Sequence, residues 1–238
     1  MVVAHYNKLL TLSEAALNSL SEDLERLEIF TSAHNQAADL DQLNKLLVNR
    51  VEKPMFELAR LEYQQAVFSA SIAQYRQAHK GLRLFLELTL CSVLFSAHEI
   101  DSYLWLRGKK DSSWKSINCV NSGVFSKHFV GAFFEELTDY CDQYQSLAAK
   151  LYRECSEFVH GNRQSFGDMN HQISYSADSL EVWADRADTA QLLVKFAFVS
   201  RYLKNASTET RNELEVMLLE DFGTLSAVQS IFGEEPDE

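Results

Sequence analysis

Glycine and proline are scarce in this chain, and that scarcity constrains its fold more than any other feature. Its 238 residues hold 8 Gly and 2 Pro, the latter at Pro54 and Pro236. That leaves little room for the tight turns of an all-β protein. Apolar residues recur instead at three- and four-residue spacing, the pattern of helices with one buried face. The expectation is an all-α fold, a helical bundle forming one domain over residues 1–238. Within it, 1–80 supplies N-terminal helices, 81–161 a core segment, and 162–238 the C-terminal part.

Along the chain, Ser13 opens a run through Leu17, Leu20, Leu24 and Leu27, with Glu14 in its first turn. A polar break follows around residues 32–35, then a second helix over about 39–51. Pro54 suits the first turn of a third, reaching about Ala78. Gly81 is expected to separate it from an apolar helix ending near Trp105-Leu106-Arg107-Gly108. After a polar loop over 109–121, a helical pattern runs from about Val124 to His160, with a break near Gly131. The period then changes. Gln172-Ile-Ser-Tyr175 and Leu180-Glu-Val-Trp183 alternate around Ala177-Asp178-Ser179, which predicts a short β-hairpin near residues 172–184. Helices over about 186–203 and 208–219 follow, and Glu234–Glu238 reads as a solvated acidic tail.

Composition narrows the function classes. Cys91, Cys119, Cys141 and Cys155 form no CxxC pair and no metal-finger spacing, so they read as reduced core thiols of a cytoplasmic protein. His98-Glu99 lacks the second histidine of a zinc-protease motif, because position 102 is Ser102. No metal or cofactor is expected. The most apolar run, Leu82–Ala97, carries Arg83 and Glu87 and is too short to span a bilayer. No basic and apolar leader follows Met1, so no membrane association is expected. The net charge of −12 argues against broad nucleic-acid binding, which depends on neutralising phosphates. Any RNA contact must therefore be local.

Chemistry concentrates in Leu151-Tyr-Arg-Glu-Cys-Ser-Glu-Phe-Val-His-Gly161. At about 100° per residue, Arg153, Ser156, Glu157 and His160 share one helical stripe. Leu151, Cys155 and Phe158 occupy the opposite, core-facing side. Gly161-Asn162 stops the helix. A guanidinium with a planar fork and an imidazole titrating near neutrality, two turns apart on a polar face, suit the gripping and protonation of a phosphate ester.

This segment resembles the HEPN superfamily of small helical proteins, many of them ribonucleases of prokaryotic toxin and antiviral systems. Their signature is an Arg followed, after four to six residues, by a His near a helix end; six residues separate Arg153 from His160. Tyr152, Ser156 and Val159-His160-Gly161 also resemble the Tyr-Arg…Ser…Val-His-Gly variant of several HEPN-like families. The residue after the Arg is often Asn, Asp or His in active members, and here it is Glu154. The resemblance implies a HEPN-like bundle and a metal-independent endoribonuclease acting as a toxin or antiphage effector. An antitoxin or a sensor or ATPase partner would restrain it.

Cutting RNA through its own 2′-hydroxyl needs a base, an acid for the departing 5′-oxygen, and positive charge at the phosphorane. Arg153 and His160 are the candidate catalytic pair, and Ser156, Tyr152 and Glu157 the supporting residues. One histidine does not readily act as acid and base together, so a homodimer with two stripes in a shared cleft is expected. Lys109, Lys110, Trp114 and Lys115 combine an aromatic with cations and are the candidate RNA-binding residues. The alternative function is a non-catalytic helical subunit of a multi-protein defence complex.

Overall fold

The computed structural model describes residues 1–159 and 172–233. Eleven α-helices and three short 3-10 segments are found among them, and no strand. The all-α class is therefore the one the scarce turn residues imply. The helices are α1 (Val2–Glu22), α2 (Leu24–Leu43), α3 (Lys53–Ser71), α4 (Tyr75–Phe95), α5 (Glu99–Leu106) and α6 (Trp114–Ile117). They continue with α7 (Lys127–Phe133), α8 (Cys141–Ser156), α9 (Ala177–Tyr202), α10 (Thr208–Phe222) and α11 (Ser226–Gly233).

Two helices form the centre. From Leu82 to Phe95 almost every residue of α4 is buried, apart from an edge carrying Arg83, Leu84 and Glu87, and α9 is buried nearly throughout from Ala190 to Tyr202. Around them, α4 packs on α3, α8 and α6, while α9 packs on α4, α2, α8 and α7. Aromatic rings lock the layers. Phe196 of α9 stacks on Tyr144 of α8 at 3.6 Å between centroids, and Phe198 meets Phe56 of α3 at 4.8 Å. Each such side chain contributes roughly 1.5–3 kcal/mol on full burial, so this aromatic layer carries much of the core's stability.

Several boundaries differ from those the sequence predicts. The first helix begins at Val2 rather than Ser13 and stops at Asp23, whose side chain accepts a hydrogen bond from the Arg26 N–H and so caps α2. The polar residues 32–35 do not break α2, because they lie on its outer side around buried Ala33. Pro54 does occupy the first turn of α3. That helix, however, ends at Ser71, and the chain turns at Ala73 with φ +57° rather than at a glycine.

Gly81, expected as a separator, lies inside α4, where its missing side chain lets α3 approach. A Cβ there would sit 3.0 Å from the Ala66 Cβ. Gly108 does follow the last turn of α5, with φ +63°, and the N–H groups of Gly108 and Lys109 cap the Trp105 and Leu104 carbonyls. The later break falls at Phe134 (φ −153°, ψ 78°), between α7 and a 3-10 segment, not at Gly131.

No hairpin forms near 172–184: residues 172–176 are irregular, and from Ala177 the chain is helix. Ser176 caps α9 by accepting from the Ser179 N–H, so Ala177-Asp178-Ser179 is a helical first turn instead of a hairpin bend. The period-two look of Leu180 to Trp183 is the start of a helical stripe, Leu180, Trp183, Ala184 and Ala187, all buried. Among the described residues, no helix is long and apolar enough to cross a membrane.

Candidate functional site

Helix α8 is strongly amphipathic. Leu151 and Cys155 are buried against α4 and α9, 2% and 1% exposed, which turns Arg153 to the outside. Arg153 and Glu157 are exposed and Ser156 is half-buried, as the stripe requires. The Ser156 hydroxyl donates to the Tyr152 carbonyl at 2.6 Å, so its hydrogen points back along the helix. Among the described residues Arg153 forms no ion pair. The helix ends at Ser156, and residues 157–159 continue as turn. His160, the Gly161-Asn162 stop and His171 lie outside the described residues.

Glu154, the departure in the motif, is not an isolated charge. Its Oε2 accepts from the Arg186 Nε of α9 at 3.3 Å, and Lys150 lies 3.9 Å from its Oε1. Arg186 also reaches the His79 Nε2 at 3.3 Å and lies 5.5 Å from the Phe158 ring centroid. Arg76 donates to the Phe158 carbonyl at 3.0 Å. Three helices, α4, α8 and α9, thus converge at the motif's end and bring Arg76 and Arg186 beside it.

His79 is a buried member of this junction that the motif does not include. Its nearness to Gly81 suggests a helix-end cap, yet α4 runs on through both positions. The ring is 2% exposed and stacked on Phe158 at 4.0 Å. Because an arginine only donates, Nε2 must accept and the proton sits on Nδ1, which has no hydrogen-bond partner among the described residues. Burial, with the nearby Arg186 charge, lowers its pKa to about 3. It is a neutral imidazole. The signal that would have found it is its place on the buried stripe Tyr75, His79, Leu82 and Leu86.

Tyr152 and Trp114, 38 positions apart in the chain, are brought together. Their rings stack at 3.8 Å with an interplanar angle of 1°. The Tyr152 hydroxyl accepts from Arg83 and donates to Glu87 Oε2 at 3.2 Å, and Ser112 donates to the other Glu87 oxygen at 2.8 Å. Burial raises the Tyr152 pKa, although its bond from Arg83 opposes this. The candidate RNA-binding loop therefore divides. Trp114 is anchored on the motif helix, while Lys110 turns to Asp101 at 2.7 Å and over the Phe95 ring. Lys109 and Lys115 are exposed.

Chemically, the described part of this site offers an unpaired exposed guanidinium, two further guanidiniums held by neighbours, and a buried neutral imidazole. No group of three or more His, Cys, Asp or Glu side chains is gathered for a metal ion among the described residues. No family model, curated protein or solved structure matches this chain.

Proposed function

We propose that the chain is a HEPN-like, metal-independent endoribonuclease, acting as a toxin or antiphage effector. The observation that carries the reading is the exposed Arg153 near the end of α8, without an ion-pair partner among the described residues, while Arg76 and Arg186 meet the turn that follows it at Phe158. In a chain of net charge −12, an exposed guanidinium is the kind of local cation that an RNA phosphate requires. The Arg186–Glu154 pair supports it further, because the motif's extra carboxylate is offset rather than left to repel the substrate.

In this reading Arg153 binds two phosphate oxygens. A base removes the 2′-hydroxyl proton, the 2′-oxygen attacks phosphorus, and the 5′-oxygen leaves with a proton from an acid. The products are a 2′,3′-cyclic phosphate and a 5′-hydroxyl. His160 supplies the proton transfer, and its counterpart in a homodimer the second. The buried, weakly basic His79 does not serve, since its proton affinity is far too low at neutral pH. An antitoxin or a sensor or ATPase partner would hold the activity in check.

The test is cleavage of cellular RNA in EDTA. Wild type is expected to leave cyclic phosphate ends. His160→Ala and Arg153→Ala should each lower the rate by about 10²-fold or more with helical circular dichroism unchanged. Cleavage that persists in His160→Ala, or no cleavage by the folded dimer, overturns the reading.

A second reading, a non-catalytic assembly subunit, has its own support. Helix α1 exposes Val2, Val3, Tyr6, Leu10 and Leu17, an apolar strip of the kind that partner helices cover. It would be favoured if Tyr6→Glu/Leu10→Glu or Arg153→Ala released a co-purifying partner without altering any RNA cleavage.

A further inference from the structure

Lys45, Arg50 and Arg201 line a cavity of about 380 Å³ between the turn after α2 (residues 44–50), the C-terminal end of α9 and the start of α10. The chain has 34 acidic residues against 22 Lys and Arg, yet no carboxylate lines this cavity. Two acids stand behind the cations. Glu52, 3% exposed, accepts from the Arg50 Nε and from the Tyr202 hydroxyl at 3.0 Å, and Glu213 meets Lys45 at 2.8 Å. Arg201 has no carboxylate partner among the described residues. Its Nε donates to the Ser96 hydroxyl at 2.6 Å and its Nη2 to the Ser96 carbonyl at 3.2 Å.

Both guanidiniums keep donors for a ligand. Each carries five N–H groups. Arg201 spends two on Ser96, and Arg50 spends its Nε on Glu52 and one more toward the Tyr202 hydroxyl. Both lie 5.0 Å from the Tyr202 ring centroid, so one buried ring gathers them. Burial pushes Arg201 below the ordinary arginine value, and the Arg50 charge adds to this, although Tyr202 and Glu52 oppose it. Two like charges that neither can shed by deprotonation are relieved by an anion placed between them.

The start of α10 adds a different chemistry. The Ser207 and Thr210 hydroxyls share one hydrogen bond at 2.9 Å, so one of the two still has its hydrogen to give. The exposed Asn205 amide lies on the same wall. Tyr202, the one aromatic among the described lining residues, is 4% exposed and offers no open ring face for a nucleobase. The volume is that of a small-molecule site, and paired guanidinium forks suit phosphoryl oxygens. We propose that this cavity binds a sugar phosphate, with its phosphoryl group on Arg50, Arg201 and Lys45 and its hydroxyls on Asn205 and the Ser207–Thr210 pair.

Calorimetric titration of the full chain with glucose 6-phosphate at low ionic strength tests this, because screening weakens such contacts at high salt. One molecule per chain is expected, bound about threefold or more tightly than inorganic phosphate, with no binding of glucose itself. Arg201→Lys keeps the charge but loses the fork and should weaken binding about tenfold, and Lys45→Gln about threefold or more. Asn205→Ala should narrow the advantage over inorganic phosphate. Lys127→Gln removes the same charge outside the cavity and should leave affinity within about twofold. Lys45 is half-buried and Asn205 exposed, so these two variants keep the test decisive if Arg201→Lys unfolds. Four results would each overturn the proposal: no saturable binding, equal losses in Lys45→Gln and Lys127→Gln, inorganic phosphate bound as tightly as glucose 6-phosphate, or an RNA oligonucleotide that Lys45→Gln weakens and glucose 6-phosphate cannot displace.

Discussion

Stacked on Phe158 and accepting from Arg186, the His79 imidazole is held neutral in the folded chain. Its folded pKa of about 3 lies below the unfolded value of about 6.5, so the unfolded chain takes up the proton first as pH falls. The stability due to the neutral ring is complete above the unfolded pKa and drains away between there and the folded one. At pH 5 the loss is about 2 kcal/mol, from one proton and roughly 1.5 pH units. Thermal melts from pH 7.5 to 5 should show wild type losing stability more steeply than His79→Phe; parallel curves would refute this. The residue also marks how far the site could be read from the chain. Arg153, Ser156 and Glu157 share one helix, so local spacing is enough to place them on a face. His79 and Arg186 are 107 positions apart and meet only because α4 and α9 pack, and no local pattern encodes that.

At the scale of elements, two backbone positions invite substitution in opposite directions. A methyl at Gly81 would add about 1 kcal/mol of helix propensity to α4. It would also press on the Ala66 Cβ at 3.0 Å and the Glu62 carbonyl at 3.3 Å. Overpacking costs about 1–3 kcal/mol, so Gly81→Ala should destabilise in urea, and Ala66→Gly in the same chain should recover part of the loss. Ala73, at φ +57° between α3 and α4, is the reverse case. The left-handed conformation costs a non-glycine residue roughly 1–2 kcal/mol, partly offset by glycine's greater unfolded-state freedom. Ala73→Gly should therefore stabilise by about 0.5–1 kcal/mol, visible as a higher denaturation midpoint with an unchanged slope. These positions explain why helix ends were less legible than helices. The apolar run of α4 declared a buried helix, but Gly81 serves close packing and an alanine takes the turn, so the usual punctuation misleads. Around Leu180 the alternation is too short to tell a strand from a helix entering its core.

For the molecule as a whole, stability is expected to be uneven. Helix α1 buries little beyond Ala16 and Leu20, whereas α4 and α9 are enclosed over most of their length. Hydrogen exchange should strip the amides of residues 2–13 far faster than those of 82–95, by several powers of ten if the latter open only on global unfolding. Equal protection would mean that α1 is covered in solution, as the assembly reading requires. A final consequence lies in the Trp114–Tyr152 stack, which fixes an indole and a phenol face to face on the helix that carries Arg153. Two chromophores held in that way couple optically. The chain therefore has a built-in gauge: the near-ultraviolet dichroism assigned through Trp114→Phe will report, without any attached label, whether α8 keeps its place when RNA or another protein arrives.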